Sequence, residues 1–471
     1  MYLTDRSAPP ADTGPARRRG PRPRVAPVVL VLGTVSLITD ISSEMVTAVL
    51  PLYLVTTLGF SPLAFGTLDG VYNGVSALVQ LTGGHLADRV RDHKLLAGLG
   101  YGLSALCKPL LLLAGGIGSL GTVLALERTG KGLRTAPRDA MISLSTPVAH
   151  QGRAFGVHRA MDTTGAMLGP LAAFLILSAA ADGYDAVFGV SACVAVLGVL
   201  VLVLFVPGRR GVPAGGGVSE TAAPGLGGNT DTGPAGTPPG TPDPPGPHEA
   251  HETGEGARPP VRVREALALL RLPRLRALAG CAALLGLTTV SDAFVYLLLQ
   301  RRAGVGEEWF TLLPLGTAVV FLLLAVPLGA LADRIGRHVV FLAGHLGLLI
   351  AYALLLWAPD TGLLVPLVLA LHGTFYAATD GVLPAALAGV VPERLRASGL
   401  AIVGTSQALA RFCCSLGLGA AWTLWGDGPA LAGSALGLLC CAAVAGLVLR
   451  PDRRTRQPLS TADDHPSTPK T

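Results

Sequence analysis

The chain has 471 residues, of which 50% are hydrophobic and 14% are charged, and its mean hydropathy is +0.54. A soluble globular domain carries about 25% charged residues, so the composition excludes an ordinary soluble enzyme, a disordered chain and a secreted scaffold built on disulfides. The net charge is +6, and the basic residues cluster beside apolar stretches, which indicates attraction to anionic lipid and not to nucleic acid.

Twelve stretches are long and apolar enough to span a bilayer, which takes about 20 mostly apolar residues. The first six predicted spans cover roughly 28–57, 63–87, 95–115, 118–140, 153–180 and 186–206. The other six cover roughly 276–300, 308–332, 338–358, 362–388, 396–425 and 428–449. All seven cysteines lie inside these spans and form no CxxC pair, so the sequence predicts no disulfide framework, no metal site and no cofactor.

Polar segments flank and divide the spans. Residues 211–260 contain 13 Gly and 11 Pro, and such a composition cannot bury enough apolar surface to offset the entropy of ordering. The predicted organisation is a basic N-terminal tail at 1–24, a six-helix bundle at 25–206, a disordered Gly/Pro-rich linker at 207–262, a second six-helix bundle at 263–450 and a C-terminal tail at 451–471.

Lysine and arginine are concentrated in alternate gaps between the spans. Even-numbered gaps contain basic residues such as Arg89, Arg210 and Arg334, whereas odd-numbered gaps nearly lack them, with Arg301 and Arg302 as the exception. By the positive-inside rule this pattern predicts that both termini lie in the cytoplasm. An even number of crossings agrees with it, and we expect a monomer in the inner (plasma) membrane.

A short motif repeats at matching places in the two sets of spans. Residues 84–89, Gly-His-Leu-Ala-Asp-Arg, recur as residues 329–334, Gly-Ala-Leu-Ala-Asp-Arg, at an offset of 245. Shorter similarities around Asp139 and Asp380 recur at an offset of 241. Repeats at nearly one offset indicate two duplicated halves of the same orientation.

This repeated motif resembles the signature of the major facilitator superfamily, a G-x-L-A-D-R-x-G-R-[KR] pattern between the second and third helices. The first copy departs from it at Arg91, where the family has glycine, and the second copy keeps Gly336. The resemblance implies an all-α membrane protein with twelve transmembrane helices in two six-helix bundles, and alternating access to a midplane cavity. The matching residues, to which it gives a gating role, are Gly84, Asp88, Arg89, Gly329, Asp333 and Arg334.

Two further motifs resemble those of the same family. In the fourth span, Arg128 and Lys131 are similar to R-x-x-Q-G, with lysine in place of glutamine, and the resemblance gives Arg128 a role in proton transfer. In the fifth span, Gly165, Gly169 and Pro170 are similar to the G-x(3)-G-P motif of exporters, although two alanines follow where that motif usually ends in two glycines. The resemblance implies that these three residues act in gating and favours export.

Ionisable residues inside the spans are the candidate functional residues, because each costs roughly 2.5 to 3.5 kcal/mol to insert. Asp40 and Glu44 are four apart on one face of the first span, and two carboxylates so close do not both ionise easily. They are the predicted proton-coupling pair, with structural salt bridges to basic helices as the alternative. Asp162 shares a face with His158 in the fifth span, and this pair is predicted to act as a proton relay or a gate. The alternative is a hydrated charge cluster at the inner end.

Other polar residues are predicted to line a substrate cavity. Asp69, Asn73 and Gln80 form one stripe of the second span, although Asp69 could also be hydrated near the outer end. Lys108 lies deep in the third span and needs a carboxylate partner, for which Asp40 or Glu44 is expected, unless it binds an anionic substrate. In the second half the predicted cavity residues are Asp292, Tyr376, Asp380, Gln407 and Arg411.

The leading functional hypothesis is a proton-driven exporter of small molecules, a class that includes lipophilic and drug-like compounds. The second is a proton symporter that imports a nutrient or an anion, which Lys108, Arg128, Arg159 and Arg411 would receive. The third is a membrane sensor without transport, docking through its linker. The chain has no nucleotide-binding loop, HExxH or G-x-S-x-G motif, so an enzyme or an ATP-driven pump is not expected. The predicted partners are a small-molecule substrate, protons and the lipid bilayer.

Overall fold

The computed structural model describes residues 25–89, 92–147, 151–180, 183–206, 269–359, 362–380, 387, 391 and 395–449. The predicted N-terminal tail, the predicted linker and the predicted C-terminal tail lie outside these ranges. Where described, the chain is helical and contains no strand. This agrees with the predicted all-α fold class.

The first half contains six long helices joined by short turns. They are α1 (Pro27–Leu52), which continues as a π-helical turn at Tyr53–Thr57, α2 (Pro62–Arg89), α3 (His93–Leu113), α4 (Ile117–Leu144), α5 (Gln151–Ala179) and α6 (Gly183–Phe205). Their starts follow local rules. Proline occupies the first turn of α1, where its missing N–H leaves no bond unmade, and the Asp92 side chain caps α3 by accepting from the Leu95 N–H at 3.0 Å.

In the part that the structure describes, the second half starts with a 3-10 turn at Leu269–Arg271, and eight helical segments follow with bounds that the structure gives. They are α7 (Pro273–Gly286), α8 (Asp292–Ala303), α9 (Glu307–Phe310), α10 (Leu313–Ile335), α11 (Arg337–Trp357), α12 (Leu364–Thr379), α13 (Arg396–Trp425) and α14 (Asp427–Val448). Each of the twelve predicted spans therefore contains helix in its described part.

The seventh predicted span, 276–300, is interrupted between α7 and α8, where we expected one helix. Threonine and valine lie in the break, and β-branched residues lose side-chain freedom in a helix. The Thr289 hydroxyl donates to the Leu285 carbonyl at 2.9 Å, and the Val290 N–H donates to the Tyr352 hydroxyl at 2.8 Å. The freed backbone groups thus find partners inside the protein, as they must at membrane depth.

The outer surface of the helices is apolar. Among the described helices, eight are long and apolar enough to cross a membrane by length and composition, and Leu364–Thr379 is a shorter apolar helix. Large apolar side chains point outward on several of them; Leu323 is 69% exposed and Val326 is 79% exposed. An extensive exposed apolar surface is typical of a protein whose surroundings are lipid.

Helix packing in the first half depends on glycine. α1 packs against α5 and α6, and α3 packs against α4. A Cβ at Gly165 would lie 2.4 Å from the Leu37 carbonyl oxygen, and one at Gly169 would lie 2.9 Å from the Met45 nitrogen. Small residues let helices in a membrane approach this closely. The two glycines predicted to act in gating therefore lie at the tightest part of the α1–α5 contact.

The two halves meet along α2 and α13. The contact uses the beginning of α2 and the end of α13: a Cβ at Gly66 would lie 2.3 Å from the Ser415 carbonyl oxygen, and one at Gly419 would lie 2.5 Å from the Pro62 carbonyl oxygen. At the same end of the molecule, the Tyr184 hydroxyl donates to Glu307 at 3.0 Å. These contacts join the halves at the end that carries the odd-numbered gaps.

Candidate functional site

A cavity of about 390 Å³ lies between the two halves. α1 and α2 supply its wall in the first half, while α8, α10 and α12 supply much of the other wall. Six of the residues predicted for a substrate cavity line it, namely Asp69, Asn73, Asp292, Tyr376, Asp380 and Arg411. Their common position makes the cavity the candidate site; their role in binding stays a prediction.

Three predicted cavity residues lie elsewhere. Gln407 lines a smaller adjoining pocket of about 130 Å³, which shares Asp380 and Arg411 with the main cavity. Lys108 is buried between α3 and α4 and does not line the cavity. Gln80 belongs to α2, but its side chain lies outside the described part of the chain.

Asp69 connects the two halves. The Ser415 hydroxyl of α13 donates to its carboxylate at 2.6 Å, and the Asn73 amide donates to it at 3.4 Å and to its main-chain carbonyl at 2.9 Å. Asp69 therefore lies at the contact between the halves and lines the cavity. None of the ion pairs among the described residues includes it.

Asp292 is the first residue of α8, directly after the helix break. His372 lies 3.1 Å from its Oδ1, and the Tyr376 hydroxyl donates to the same oxygen at 2.5 Å. The His372 side chain is fully buried, whereas Asp292 is 45% exposed, towards the cavity. Sequence reasoning found Asp292 and Tyr376 but missed that His372 binds Asp292. Helical periodicity carries no signal for this pairing, because it depends on how α8 and α12 pack together.

The predicted proton-coupling pair on α1 is bound by cations of α4. Arg134 lies 3.2 Å from Asp40, and Lys131 lies 3.4 Å from Glu44. The Arg134 side chain is only 3% exposed. The arrangement has the geometry of the salt-bridge alternative, and it leaves Glu44 25% exposed on the cavity wall.

Lys108 has a different partner from the two expected. Its Nζ lies 3.3 Å from Glu127, which also accepts from Arg128 at 2.6 Å. The expected pairing with Asp40 or Glu44 was wrong because α3 packs directly against α4: a Cβ at Gly100 would lie 2.7 Å from the Gly130 carbonyl oxygen.

Arg128 is held on two sides. Besides its bond to Glu127, its guanidinium lies 3.8 Å from the centre of the Tyr72 ring, a distance typical of a cation–π contact. Tyr72 lines the cavity, so its ring separates the buried arginine from the cavity. Arg128 therefore does not itself line the cavity, because the Tyr72 ring lies between them.

Asp162 belongs to a cluster of polar side chains from α1, α4 and α5. Arg138 lies 3.6 Å from Asp162, and Arg159 lies 3.4 Å from it. Arg138 also donates to the Ser36 hydroxyl at 3.2 Å, and His158 lies 3.1 Å from the same hydroxyl. His158 and Asp162, which the sequence placed on one face, are therefore connected through other side chains: His158 contacts Ser36, Ser36 accepts from Arg138, and Arg138 pairs with Asp162.

The predicted gating residues fall into two groups. Gly165 and Gly169 form the close α1–α5 contact, and Pro170 follows them inside α5. In the repeated motif, Asp333 is 67% exposed and pairs with Arg337 of its own half at 3.3 Å. Gly329 has no neighbour within 4 Å of an added Cβ, and Arg334 is exposed. Of the first copy, Gly84, Asp88 and Arg89 belong to the end of α2, and their side chains lie outside the described part.

Comparisons with known proteins agree with this architecture. The sequence profile of the Major Facilitator Superfamily matches residues 32–412 and 276–470. An uncharacterized MFS-type transporter of Methanocaldococcus jannaschii is 27% identical over 430 residues, which cover 89% of this chain and 94% of that protein.

Solved structures share the fold. The crystal structure of the nucleoside transporter NupG has a TM-score of 0.69 at 12% identity and covers 90% of this chain and 100% of that chain. A bacterial homolog of the human lysosomal transporter Spinster, in an inward-facing and unoccupied conformation, has a TM-score of 0.65 at 15% identity, with coverages of 89% and 96%. The predicted family is confirmed: this chain belongs to the major facilitator superfamily and is an integral membrane protein of the transporter class.

Proposed function

We propose that this protein is a proton-coupled secondary transporter that exports small molecules across the plasma membrane by alternating access. The observation that carries the proposal is the cavity between the halves, lined by ionisable residues from both. Structures with the same fold bear the names of a nucleoside transporter and of a POT family transporter in complex with a peptide conjugate. These names and the size of the cavity support a small-molecule substrate for this protein as well.

The distribution of basic residues supports an assignment of the two ends. If both termini are cytoplasmic, the odd-numbered gaps face outward, and the α2–α13 contact closes the outer end of the cavity. The cavity then receives its substrate from the cytoplasm. Opening to the outside requires α2 and α13 to separate, which breaks the bond between Asp69 and Ser415.

Proton coupling is proposed for Asp40, Glu44, Arg128 and Asp162. Glu44 is the member of the group that lines the cavity, and Asp40 lies one helical turn away on the same face. Protonation of either carboxylate removes the attraction that holds Lys131 or Arg134, so α1 becomes free to move relative to α4. A proton moving through 100 mV releases about 2.3 kcal/mol, enough to drive an uphill step of similar size.

The test uses inside-out vesicles from cells that produce the protein. Respiration acidifies the interior, a quenched pH dye reports it, and ethidium is added as the first compound of a panel. Antiport predicts dequenching that needs this protein, disappears in Asp40→Asn and persists in the control Asp185→Asn, a carboxylate at the start of α6 that does not line the cavity. Full proton-coupled transport by Asp40→Asn would remove the role given to Asp40.

A proton symporter that imports an anion is the second candidate, and Arg411 is the observation in its favour. Of the four cations that could receive an anion, Lys108, Arg128 and Arg159 are bonded to carboxylates, while Arg411 lines the cavity. Uptake of a labelled anion into right-side-out cells, lost in Arg411→Gln, would decide for import.

A further inference from the structure

The cations near the cavity are largely neutralised by carboxylates of the first half. Lys131 is bonded to Glu44, and Arg128 is bonded to Glu127 behind the Tyr72 ring. Among the described residues that line the cavity, Arg411 is the one cation. It faces three carboxylates that belong to no lysine or arginine pair in the described chain, namely Asp69, Asp292 and Asp380. The lining therefore carries a negative excess.

Asp69 and Asp292 enter the cavity from opposite halves, and neither is bonded to a lysine or an arginine of the described chain. A hydroxyl and an amide bind Asp69. The Tyr376 hydroxyl and the His372 ring both lie at Oδ1 of Asp292, and no described residue donates to Oδ2. These bonds fix the direction of each carboxylate without a lysine or arginine partner, so both remain open to a cation that enters the cavity.

Aromatic rings complete the lining. Tyr72 lies on the α2 side, Tyr296 and Phe310 lie near α8, and Phe321 lies on α10. Ring faces attract organic cations, most strongly when water is excluded. A cavity of about 390 Å³ is within the size range of sites for drug-sized molecules. Carboxylates from both halves together with aromatic rings match a bulky cation better than a sugar, which needs many paired hydroxyl partners.

We propose that the cavity binds an organic cation with aromatic or bulky apolar groups, whose positive charge lies between Asp69 of the first half and Asp292 of the second. This inference rests on the proposed transport function and names its substrate class. A ligand of this kind bonds to both halves at once. It binds beside the Asp69–Ser415 contact that must break for the outer end to open.

The experiment compares two probes of the same shape and opposite charge. Purified full-length protein in lipid nanodiscs is titrated with tetraphenylphosphonium and with tetraphenylborate by equilibrium dialysis, and binding to empty nanodiscs is subtracted. The wild type should prefer the phosphonium by more than tenfold. Asp69→Asn and Asp292→Asn should each weaken phosphonium binding about tenfold, the equivalent of one modest charge contact, without weakening borate binding.

Three controls separate charge from folding. Asp69→Glu keeps the charge and should keep most of the phosphonium affinity, Asp185→Asn should bind as the wild type does, and each variant should elute from size-exclusion chromatography as the wild type does. Equal affinity for the two probes, no phosphonium binding, or wild-type phosphonium affinity in Asp69→Asn would overturn the cation site.

The two proposals fail in different ways. If phosphonium binds through Asp69 but no compound moves protons in the vesicle experiment, proton-coupled export is wrong and the cation site stands. If proton-coupled transport occurs and phosphonium neither binds nor competes with the transported compound, the cation site is wrong and the transporter stands.

Discussion

The two halves share a fold but use their ionisable residues differently. In the first half, the carboxylates of α1, α4 and α5 are bonded to cations of the same half, as in the buried trio of Lys108, Glu127 and Arg128. In the second half, the described helices place Asp292 against a histidine and a tyrosine at the cavity wall. The first arrangement stabilises helix packing and the second leaves charge available to a ligand.

The two halves also differ in the backbone of their first helix, which is continuous in the first half and interrupted in the second. α1 continues through a π-helical turn without a break, and its close contact with α5 depends on glycine. The corresponding first helix of the second half is divided into α7 and α8. Interrupted helices are found at binding sites of transporters. The comparison therefore predicts that substitutions in the trio of Lys108, Glu127 and Arg128 affect mainly stability, and those at Asp292 mainly binding.

The largest effect is expected for Glu127→Gln. The change leaves Lys108 and Arg128 buried without their carboxylate, and breaking a buried ion pair costs about 3–5 kcal/mol. The free energy of unfolding, measured by denaturant titration in detergent, should fall by this amount. Glu308→Gln is the control, because Glu308 lies in the short helix α9 and belongs to no described ion pair. Wild-type stability of Glu127→Gln would mean that the trio does not hold α3 to α4.

The next largest effect is expected for Gly165→Ala. A Cβ there would lie 2.4 Å from the Leu37 carbonyl oxygen, so α1 and α5 must move apart, at a cost of about 1–3 kcal/mol. The matched control is Gly102→Ala in α3, where nothing lies within 4 Å of the added Cβ and alanine favours the helix by about 1 kcal/mol. Thermal melting should move in opposite directions for the two variants. Equal shifts would show that the α1–α5 approach is not tight.

An effect of similar size is expected for Ser415→Ala, which removes the hydrogen bond between the halves. A bond to a charged group contributes about 1.5–3 kcal/mol, so the closed outer end should lose part of its population. Spin labels at Leu63 and Leu424, introduced as cysteines in a cysteine-free background, should give a longer mean distance than in the parent. Ser434→Ala in α14, which removes a hydroxyl bonded within its own helix, should leave the distance distribution unchanged.

The smallest effect on stability is expected for Asp333→Asn. Asp333 near the end of α10 and Arg337 at the start of α11 form an exposed pair, and exposed pairs contribute about 0–1 kcal/mol. Melting should be unchanged within error, while a gating role would appear as a lower transport rate in the vesicle experiment. A large loss of stability would mean that the motif holds the fold together and does not act as a gate.

Sequence reasoning found the family and most of the cavity because polar residues in apolar spans have few structural uses. Asp69, Asp292 and Asp380 could be selected on that ground alone. It could not find the partners, since these depend on which helices pack together: Lys108 binds Glu127, and Ser415 reaches Asp69 from the other half. Helical periodicity describes one helix at a time and carries no information about such contacts.

The break between α7 and α8 was missed for a related reason. Hydropathy measures the apolar character of a window, and Thr289 and Val290 do not lower it enough to end a span. Their backbone leaves the helix because Tyr352 of α11 and the threonine hydroxyl supply alternative partners. A run of β-branched residues before a carboxylate is the local pattern that would have indicated the break.

The most direct test of the account is the side from which the cavity is reached. Asn73→Cys in a cysteine-free background is treated with a membrane-impermeant maleimide in inside-out and in right-side-out vesicles. The account predicts labelling from the cytoplasmic side at rest, labelling from the outer side once a proton gradient and ethidium are present, and protection by tetraphenylphosphonium. Labelling from neither side, or from both sides equally under every condition, would contradict alternating access to this cavity.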